Sequence, residues 1–277
     1  MPELPEVETI RRQLERRIVG LTVKSVRPLH TKTVQGNSAL VVGKKVRKIL
    51  RFGKMLVIDL EGNIDIGIHL KMSGQLIFSP KRKPGEPAGE FPSKHTRAIV
   101  EFTSGDTLYF NDQRIFGWVK ILPRKNLRSL AFVAKMGPEP QSADSGRIYE
   151  IFRGRSSPVK LVILNQEILS GIGNIYACDG LWEARIKPPR KAGTLTKRET
   201  DTLLKSLSKV LEEGIRFGGS TAKDSKYVHL DSGGGTYQEH FRVYDREGQL
   251  CRRQDGGIIR KIKLGGRGTY YCPKCQK

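Results

Sequence analysis

Near the start of the chain, apolar residues recur at spacings of three and four, which is the period of one helix face. The positions are Val7, Ile10, Leu14 and Ile18. Pro5 precedes this stripe, and Gly20 stands where the stripe stops. The pattern predicts an amphipathic helix after Pro5 that ends near Gly20.

Residues 22–122 show a different pattern, with short runs of β-forming residues separated by Gly, Asp and Asn. We predict strands over Thr22–Arg27, Val46–Phe52, Met55–Leu60, Ile64–Leu70, Gln75–Phe78, Ala98–Phe102, Thr107–Phe110 and Trp118–Leu122. This spacing is typical of a β-sandwich or barrel. Ser79–Lys94 is rich in Pro, Lys and Gly, and it predicts a loop.

The second half of the chain returns to a helical period from about Ser145. The expected apolar stripes are Leu161, Leu164, Ile168 and Leu169, and then Leu203, Leu204, Leu207, Val210, Leu211 and Ile215. Gly171–Tyr176 lies between them and cannot be an ordinary helix interior. Gly218–Ser220 ends the helical part, and the Gly-rich stretch Thr221–Thr236 is typical of a loop that closes over a ligand.

Charge narrows the range of partners. The chain has 50 Lys and Arg against 28 Asp and Glu, a formal net charge of +22 spread along its length. Such a balance predicts a polyanionic partner, with duplex DNA or another nucleic acid first, because basic side chains displace the counterions of phosphates. No long apolar span or signal peptide is visible, so we expect a cytoplasmic protein without a membrane partner. Nothing in the sequence indicates an oligomer, and we expect a monomer.

The cysteines point to a metal site. Cys272 and Cys275 form a CxxC pair, and Cys251 lies upstream. Gln254 stands where a four-thiolate zinc ribbon would place its fourth cysteine. Either three thiolates hold zinc, with Asp255, a histidine or water as the fourth ligand, or the hairpin folds without metal.

The first residues also suggest chemistry. Removal of Met1 would leave Pro2 at the N-terminus, and its secondary amine can attack an aldehyde-like carbon to form an iminium. Glu3 and Glu6 are candidate proton-transfer groups beside it. The alternative is that these acidic residues only cap the helix that follows.

Six motifs, taken in order, resemble those of bacterial formamidopyrimidine-DNA glycosylases. They are PELPEVET at the start, Asp112–Gly117, Met136–Pro140, Gly171–Tyr176, Gly218–Ser220 and Gly266–Gln276. The resemblance covers essentially the whole chain. It implies an α+β multidomain fold with an N-terminal β-sandwich and flanking helices, a helix–two-turn–helix domain and a C-terminal zinc-finger-like β-hairpin. It also implies a bifunctional enzyme of base excision repair, which removes oxidised purines such as 8-oxoguanine and formamidopyrimidines and then cuts the abasic strand by β,δ-elimination.

With the resemblance, domain boundaries can be predicted. Residues 1–135 form the catalytic β-sandwich domain, and 136–144 form a hinge. Residues 145–237 form the helix–two-turn–helix domain with a loop over the extruded base, and 238–277 form the zinc-finger hairpin.

The resemblance also implies roles for individual residues. Pro2 is the nucleophile, Glu3 moves protons, and Lys54 and Arg267 join the catalytic set. The implied DNA-binding residues are Met72, His95, Arg114, Phe116, Lys160, Asn174 and Lys223. Among these, Met72, Arg114 and Phe116 fill the space that the extruded nucleotide leaves. The implied metal ligands are Cys251, Cys272 and Cys275 of one structural Zn²⁺.

The chain departs from the family pattern in three places. Gln254 replaces a zinc cysteine, and Asp179-Gly180 stands where the family places Glu and a small polar residue. The Gly-rich loop is at least one residue longer than expected.

Three alternatives remain open at this stage. The endonuclease VIII-like branch shares the N-terminal chemistry on oxidised pyrimidines, but Leu4 in PELPE and the presence of Arg114 and Phe116 argue against it. A DNA-binding protein that only senses lesions would leave Pro2 and Glu3 unexplained. A basic zinc-ribbon protein of the ribosome accounts for the charge and cysteines alone.

Overall fold

The computed structural model describes residues 1–82, 90–221 and 227–277. It divides into two compact units, one formed by residues 1–134 with 217–236 and the other by residues 135–216 with 237–277. The described part of the segment 217–236 therefore follows the helical region in sequence but packs with the first unit.

The first unit starts with helix α1 (Leu4–Ile18) and continues as a series of strands. The strands are β1 (Val23–Pro28), β2 (Val34–Gln35), β3 (Val46–Phe52), β4 (Met55–Leu60), β5 (Ile64–His69), β6 (Gly74–Ser79), β7 (Thr96–Phe102), β8 (Thr107–Asp112) and β9 (Trp118–Pro123), followed by the short helix α2 (Ala131–Ala134). One sheet has the order β1-β7-β8-β6 and the other the order β2-β9-β5-β4-β3. The short strand β2 pairs in parallel with β9, whereas the other pairs are antiparallel.

Both sheets and α1 share one apolar core. Val7 and Leu14 of α1 are fully buried in it, together with Leu56 of β4 and Leu76 of β6. Burying a side chain of this size contributes about 1.5–3 kcal/mol. The predicted helix and the predicted β-sandwich are confirmed.

The predicted strands agree with the observed ones to within two residues at either end. Strand β2 was not predicted, because two residues have no measurable period. It exists through its pairing with β9, where Val34 lies opposite Val119. Of the predicted loop Ser79–Lys94, residues 83–89 lie outside the described residues.

The second unit contains α3 (Ser145–Arg153), α4 (Val159–Ile163), α5 (Asn174–Glu183), α6 (Lys197–Arg216) and the hairpin β10 (Arg260–Leu264) and β11 (Arg267–Tyr271). The second predicted stripe is confirmed, since Leu203, Leu207 and Val210 of α6 are fully buried. No helix among the described residues is both long and apolar enough to cross a membrane.

The first predicted stripe of this unit was wrong as a continuous helix. Helix α4 ends at Ile163, and Ile168 and Leu169 lie beyond it in turns. Gln166 stabilises this break, because its side-chain amide donates to the carbonyls of Leu164 and Ile172 at 3.0 and 2.9 Å. The apolar spacing therefore continues from α4 into a turn, and the hydrogen bonds of the Gln166 side chain hold that turn.

Helices α5 and α6 approach closely at two glycines. A Cβ on Gly180 would lie 2.5 Å from Cδ2 of Leu207, and one on Gly214 would lie 2.5 Å from the Tyr176 ring. A side chain at position 180 would require the Leu207 side chain to move. This close packing accounts for the glycine at the position where the family pattern has a small polar residue.

Candidate functional site

The N-terminal segment is held by one carboxylate. The Glu3 backbone N–H donates to Oε2 of Glu6 at 2.8 Å, and the Ser220 N–H donates to Oε1 at 2.8 Å. Glu3 and Glu6 are both buried. Glu6 therefore has the capping role that the sequence offered as the alternative, and it also joins the segment beside Pro2 to the start of the Gly-rich loop.

The start of that loop is closely packed. Gly218 and Gly219 have φ of +70° and +80°, in the left-handed region. A Cβ on Gly219 would lie 2.8 Å from Cγ of Glu6. The Tyr227 hydroxyl donates to the Gly218 carbonyl at 3.0 Å, and burial raises the pKa of this phenol above its usual value. Predicted site residue Lys223 lies outside the described residues.

Met72, Arg114 and Phe116 stand on two turns that one carboxylate organises. Asp112 is buried, and its Oδ1 accepts from the Ser73 hydroxyl at 2.5 Å and from the Arg114 N–H at 3.1 Å. Its Oδ2 accepts from the Gly117 N–H at 2.7 Å. Both turns are therefore fixed before any ligand binds.

The side chains on these turns point into solvent. Phe116 is 53% exposed and Met72 is 39% exposed. The Arg114 guanidinium lies 4.9 Å from the Phe116 ring centroid. Ile115, which sequence reasoning missed, is also 39% exposed and has a φ of 56°. Together they form an apolar and cationic projection, suited to insertion between bases.

A lysine and a histidine lie near the ends of strands in the same sheet. Lys54 is buried in the turn between β3 and β4, and His69 ends β5. The Lys71 N–H donates to Nδ1 of His69 at 3.0 Å, which places the ring proton on Nε2. Burial and, secondarily, Lys71 and Lys54 lower the pKa of His69 to about 3, so the ring is a neutral N–H donor.

His69 was not selected from the sequence, although it stands three residues before Met72. The selected histidine, His95, is half-buried, and its backbone carbonyl accepts from the Asp112 N–H at 2.9 Å. His95 therefore lies next to the Asp112 turn, to which this backbone hydrogen bond links it.

In the second unit, Asn174 begins α5 and lies against the hairpin. Its Nδ2 donates to the Gly268 carbonyl at 3.0 Å, and its Oδ1 accepts from Lys160 Nζ at 2.6 Å. Lys160 is fully buried and also donates to the Thr269 hydroxyl at 2.7 Å. The ammonium of Lys160 is thus enclosed by protein and holds the Asn174 side chain, while the predicted contact of Lys160 with DNA stays a prediction. Arg267, at the start of β11, is exposed.

Asp179 binds backbone N–H groups of a neighbouring segment. It is fully buried, and its carboxylate accepts from the backbone N–H groups of Arg242, Val243 and Tyr244 at 3.1, 3.0 and 3.1 Å. It thereby holds the segment that leads into the hairpin against α5.

The three predicted cysteine ligands lie together, with Asp255 as a fourth. One ligand atom from each of these residues lies within 4.8 Å of all the others. Sγ of Cys251 and Sγ of Cys275 are 3.9 Å apart, and two sulfurs bound tetrahedrally at a Zn–S distance of about 2.3 Å would be about 3.8 Å apart. The spacing and the soft donor set fit zinc.

Two donors outside the cluster support the thiolates. Trp182 Nε1–H donates to Sγ of Cys251 at 3.3 Å, and the Arg253 guanidinium donates to Sγ of Cys275 at 3.3 Å. Arg253 also stacks on Trp182, 3.8 Å from the ring centroid. Such outer contacts orient metal ligands and compensate their negative charge.

Family models match the chain in three blocks. Residues 1–119 match the formamidopyrimidine-DNA glycosylase N-terminal domain, 136–226 the H2TH domain of the same enzymes, and 256–277 the zinc finger found in FPG and IleRS. These matches and the observed sheets and helices confirm the predicted fold class.

Several relatives match this chain over its full length. Formamidopyrimidine-DNA glycosylase of Pelotomaculum thermopropionicum is 37% identical, with 100% of this chain and 99% of the relative covered. The crystal structure of MutM (Fpg) protein from Thermus thermophilus has a TM-score of 0.89 at 35% identity, covering 99% of this chain and 98% of that one. The Lactococcus lactis Fpg in complex with abasic-site DNA has a TM-score of 0.88 at 31% identity, covering 99% of each chain. The chain belongs to the formamidopyrimidine-DNA glycosylase family.

Proposed function

We propose that this chain is a DNA glycosylase of base excision repair that removes oxidised purines from duplex DNA and then cleaves the abasic strand. The observation that carries the proposal is the placement of Pro2 and Glu3 at the start of α1, where Glu6 holds the Glu3 amide at 2.8 Å. The family relationship and a relative solved with Fapy-dG-containing DNA support the substrate class, and a relative solved with abasic-site DNA supports binding of the abasic strand.

The proposed nucleophile is the Pro2 nitrogen after removal of Met1. The positive end of the α1 dipole disfavours a second positive charge, so it favours the neutral amine. The amine attacks C1′ of the extruded nucleotide, the glycosidic bond breaks, and the base leaves with a proton. Opening of the sugar ring then leaves an iminium that joins Pro2 to C1′.

Strand cleavage follows from the iminium. It acidifies the C2′ proton, whose loss expels the 3′ phosphate by β-elimination. A second elimination expels the 5′ phosphate, and water releases the sugar remnant from Pro2. Glu3 is the proposed carrier of these protons, because its carboxyl belongs to the residue that directly follows the nucleophile in sequence.

A base inside the duplex is out of reach of Pro2, so the nucleotide must leave the stack. We propose that Met72, Arg114 and Phe116 fill the vacated space. Two apolar side chains replace lost stacking, and the Arg114 guanidinium offers hydrogen bonds to the unpaired base opposite. The fixed geometry around Asp112 favours this role, since residues that are already ordered lose little entropy on binding.

Phosphate contacts are proposed for each unit separately. In the first unit, Lys54 and the neutral N–H of His69 offer a cation and a donor. In the second, Asn174 and Arg267 lie at the helix start and the hairpin. Contacts of this kind set register on the duplex and carry no sequence preference.

We also propose that Cys251, Cys272 and Cys275 bind one structural zinc ion. When bound, the ion cross-links the hairpin to the segment before it and supplies no chemistry at the sugar. Its effect is to hold the strand that starts at Arg267.

Borohydride trapping tests the central proposal. The protein is incubated with duplex DNA that carries 8-oxoguanine opposite cytosine, the iminium is reduced, and tandem mass spectrometry locates the cross-link. We expect an adduct on Pro2 and its loss in a variant with one extra residue ahead of Pro2. An adduct on a lysine, or DNA binding with neither adduct nor base release, would overturn the proposal; the second result would favour a lesion sensor.

A further inference from the structure

Zinc requires a fourth ligand, and the expected cysteine is absent at Gln254. Gln254 has a φ of 55°, so the chain turns through the left-handed region at this residue. The next residue, Asp255, belongs to the cluster of ligand atoms formed with the three cysteines. The neutral amide of Gln254 is not among the usual zinc ligands, which are thiolate, imidazole and carboxylate. This turn therefore places Asp255, which follows the position of the missing cysteine, at the metal site.

We propose that Asp255 is the fourth zinc ligand, which makes the site Cys₃Asp. The proposal rests on the zinc site proposed above and names a ligand that the family pattern does not supply. Among the described residues, no histidine belongs to the cluster. The sequence left Asp255, a histidine or water open as the fourth ligand. The structure favours Asp255, because its carboxylate lies among the three thiols.

The distances fit the assignment. Oδ2 of Asp255 lies 3.7 Å from Sγ of Cys272, and Oδ1 lies 3.9 Å from the same sulfur. In a tetrahedral site with Zn–S of about 2.3 Å and Zn–O of about 2.0 Å, the sulfur and oxygen ligands would be about 3.5 Å apart. A shift of a few tenths of an ångström on metal binding is therefore sufficient.

Local hydrogen bonding leaves one oxygen for the metal. Oδ1 of Asp255 accepts from the Gly257 N–H at 2.8 Å, which orients the carboxylate as in other short turns. This bond leaves Oδ2, the oxygen closer to Cys272, to coordinate. Hydrogen-bonded carboxylates of this kind are the usual form of a carboxylate metal ligand.

Charge at the site is also consistent with a carboxylate ligand. Three thiolates and one carboxylate carry four negative charges against two on the ion. The Arg253 guanidinium donates to Sγ of Cys275, so one cation contacts the cluster directly. This cation offsets part of the excess negative charge.

Metal binding by the full-length protein tests the assignment. The wild type, Asp255→Asn and Gln254→Ala are each loaded with Co²⁺ or Zn²⁺, and stoichiometry, cobalt absorption and competition with a chelator are measured. Asp255→Asn keeps an oxygen to accept from Gly257 but removes the anionic ligand, whereas Gln254→Ala is the matched control at the neighbouring position. We expect one metal ion per wild-type chain, affinity reduced at least tenfold in Asp255→Asn, and unchanged affinity in Gln254→Ala.

A fourth variant separates ligand loss from misfolding. Asp255→Cys should retain one cobalt ion, and its sulfur-to-cobalt absorption should increase by about one third, as three thiolates become four. Equal metal affinity in wild type and Asp255→Asn, or reduced affinity in Gln254→Ala alone, would overturn the Asp255 assignment and leave the zinc site standing. Absence of metal from the wild type would overturn the zinc site itself.

Discussion

The Ser73 hydroxyl donates to Oδ1 of Asp112 at 2.5 Å, and this bond links the turn that carries Met72 to the turn that carries Phe116. Ser73 and Asp112 are 39 positions apart in the sequence; Ser73 lies in the connection between β5 and β6, and Asp112 is the last residue of β8. Asp112 accepts two further backbone N–H groups from its own turn. The projection that we propose to enter DNA is therefore supported by one buried carboxylate.

Replacement of that carboxylate should destabilise the first unit and weaken DNA binding. Asp112→Ala leaves the Gly117 N–H and the Ser73 hydroxyl without their acceptor, whereas the Arg114 N–H keeps a bond to Ser73 Oγ; the expected cost is about 1–3 kcal/mol in unfolding free energy. Urea unfolding and titration with abasic-site duplex measure both effects. Glu212→Gln, an exposed change on α6, is the control and should alter neither. Unchanged DNA affinity in Asp112→Ala would contradict the supporting role.

Removal of the exposed ring should separate binding from stability. Phe116→Ala should leave the unfolding free energy within about 0.5 kcal/mol of wild type, because the ring is largely in solvent. Affinity for lesion-containing duplex should fall by about 1–3 kcal/mol, the usual contribution of an aromatic ring that stacks on a base. Leu250→Ala removes another exposed apolar side chain and should leave affinity unchanged. If both variants bind as the wild type does, Phe116 does not enter the DNA.

Glu6 should affect the reaction more than DNA binding. Glu6→Gln keeps one oxygen acceptor but turns an NH₂ group toward the second backbone N–H, either Glu3 or Ser220. One lost hydrogen bond near the nucleophile corresponds to about a tenfold slower base excision in single-turnover kinetics. DNA affinity should remain within about twofold of wild type. Glu15→Gln, on the exposed part of α1, is the matched control, and a wild-type excision rate in Glu6→Gln would count against the positioning role.

His69 should make stability depend on pH. Its pKa is lowered to about 3 in the folded protein, whereas the unfolded value is near 6.5, so between these values the unfolded chain binds more protons. The histidine therefore contributes stability above about pH 6.5 that is lost progressively as the pH falls toward 3, with a slope of up to about 1.4 kcal/mol per pH unit. Urea unfolding at pH 7 and pH 5 should show a smaller loss for His69→Gln than for the wild type. The same loss in both proteins would show that other groups carry the pH dependence.

Much of the fold could be predicted from local patterns. The apolar face of α1, with Val7 and Leu14, and that of α6, with Leu203, follow from a helical repeat that neighbouring residues carry. The limits of this approach appear at α4, where the leucine spacing continues past Ile163 but the helix does not. A side-chain clamp such as that of Gln166 has no periodic signal, and neither has a two-residue strand.

The candidate site, like the fold, could be predicted from the sequence only in part. Pro2, Glu3, Arg114, Phe116 and the cysteines were selected from motifs because their residue types and order are distinctive. Lys160 was selected as well, but its burial against Asn174 and Thr269 gives it another position in the molecule. His69 was missed, since a single histidine in a strand carries no signal until its neighbours are known.

Most helices and strands, the basic character and the family could therefore be predicted from the sequence, because they depend on residue types and short-range spacing. Three relationships appear only in the folded chain: Glu6 joins the N-terminal segment to Ser220, Asp112 supports two turns, and Asp255 stands beside three thiols. Each of these relationships depends on packing that brings separate turns or distant residues within hydrogen-bond or ligand distance. Such contacts arise only when the buried core has fixed the backbone, and no local pattern in the chain encodes them.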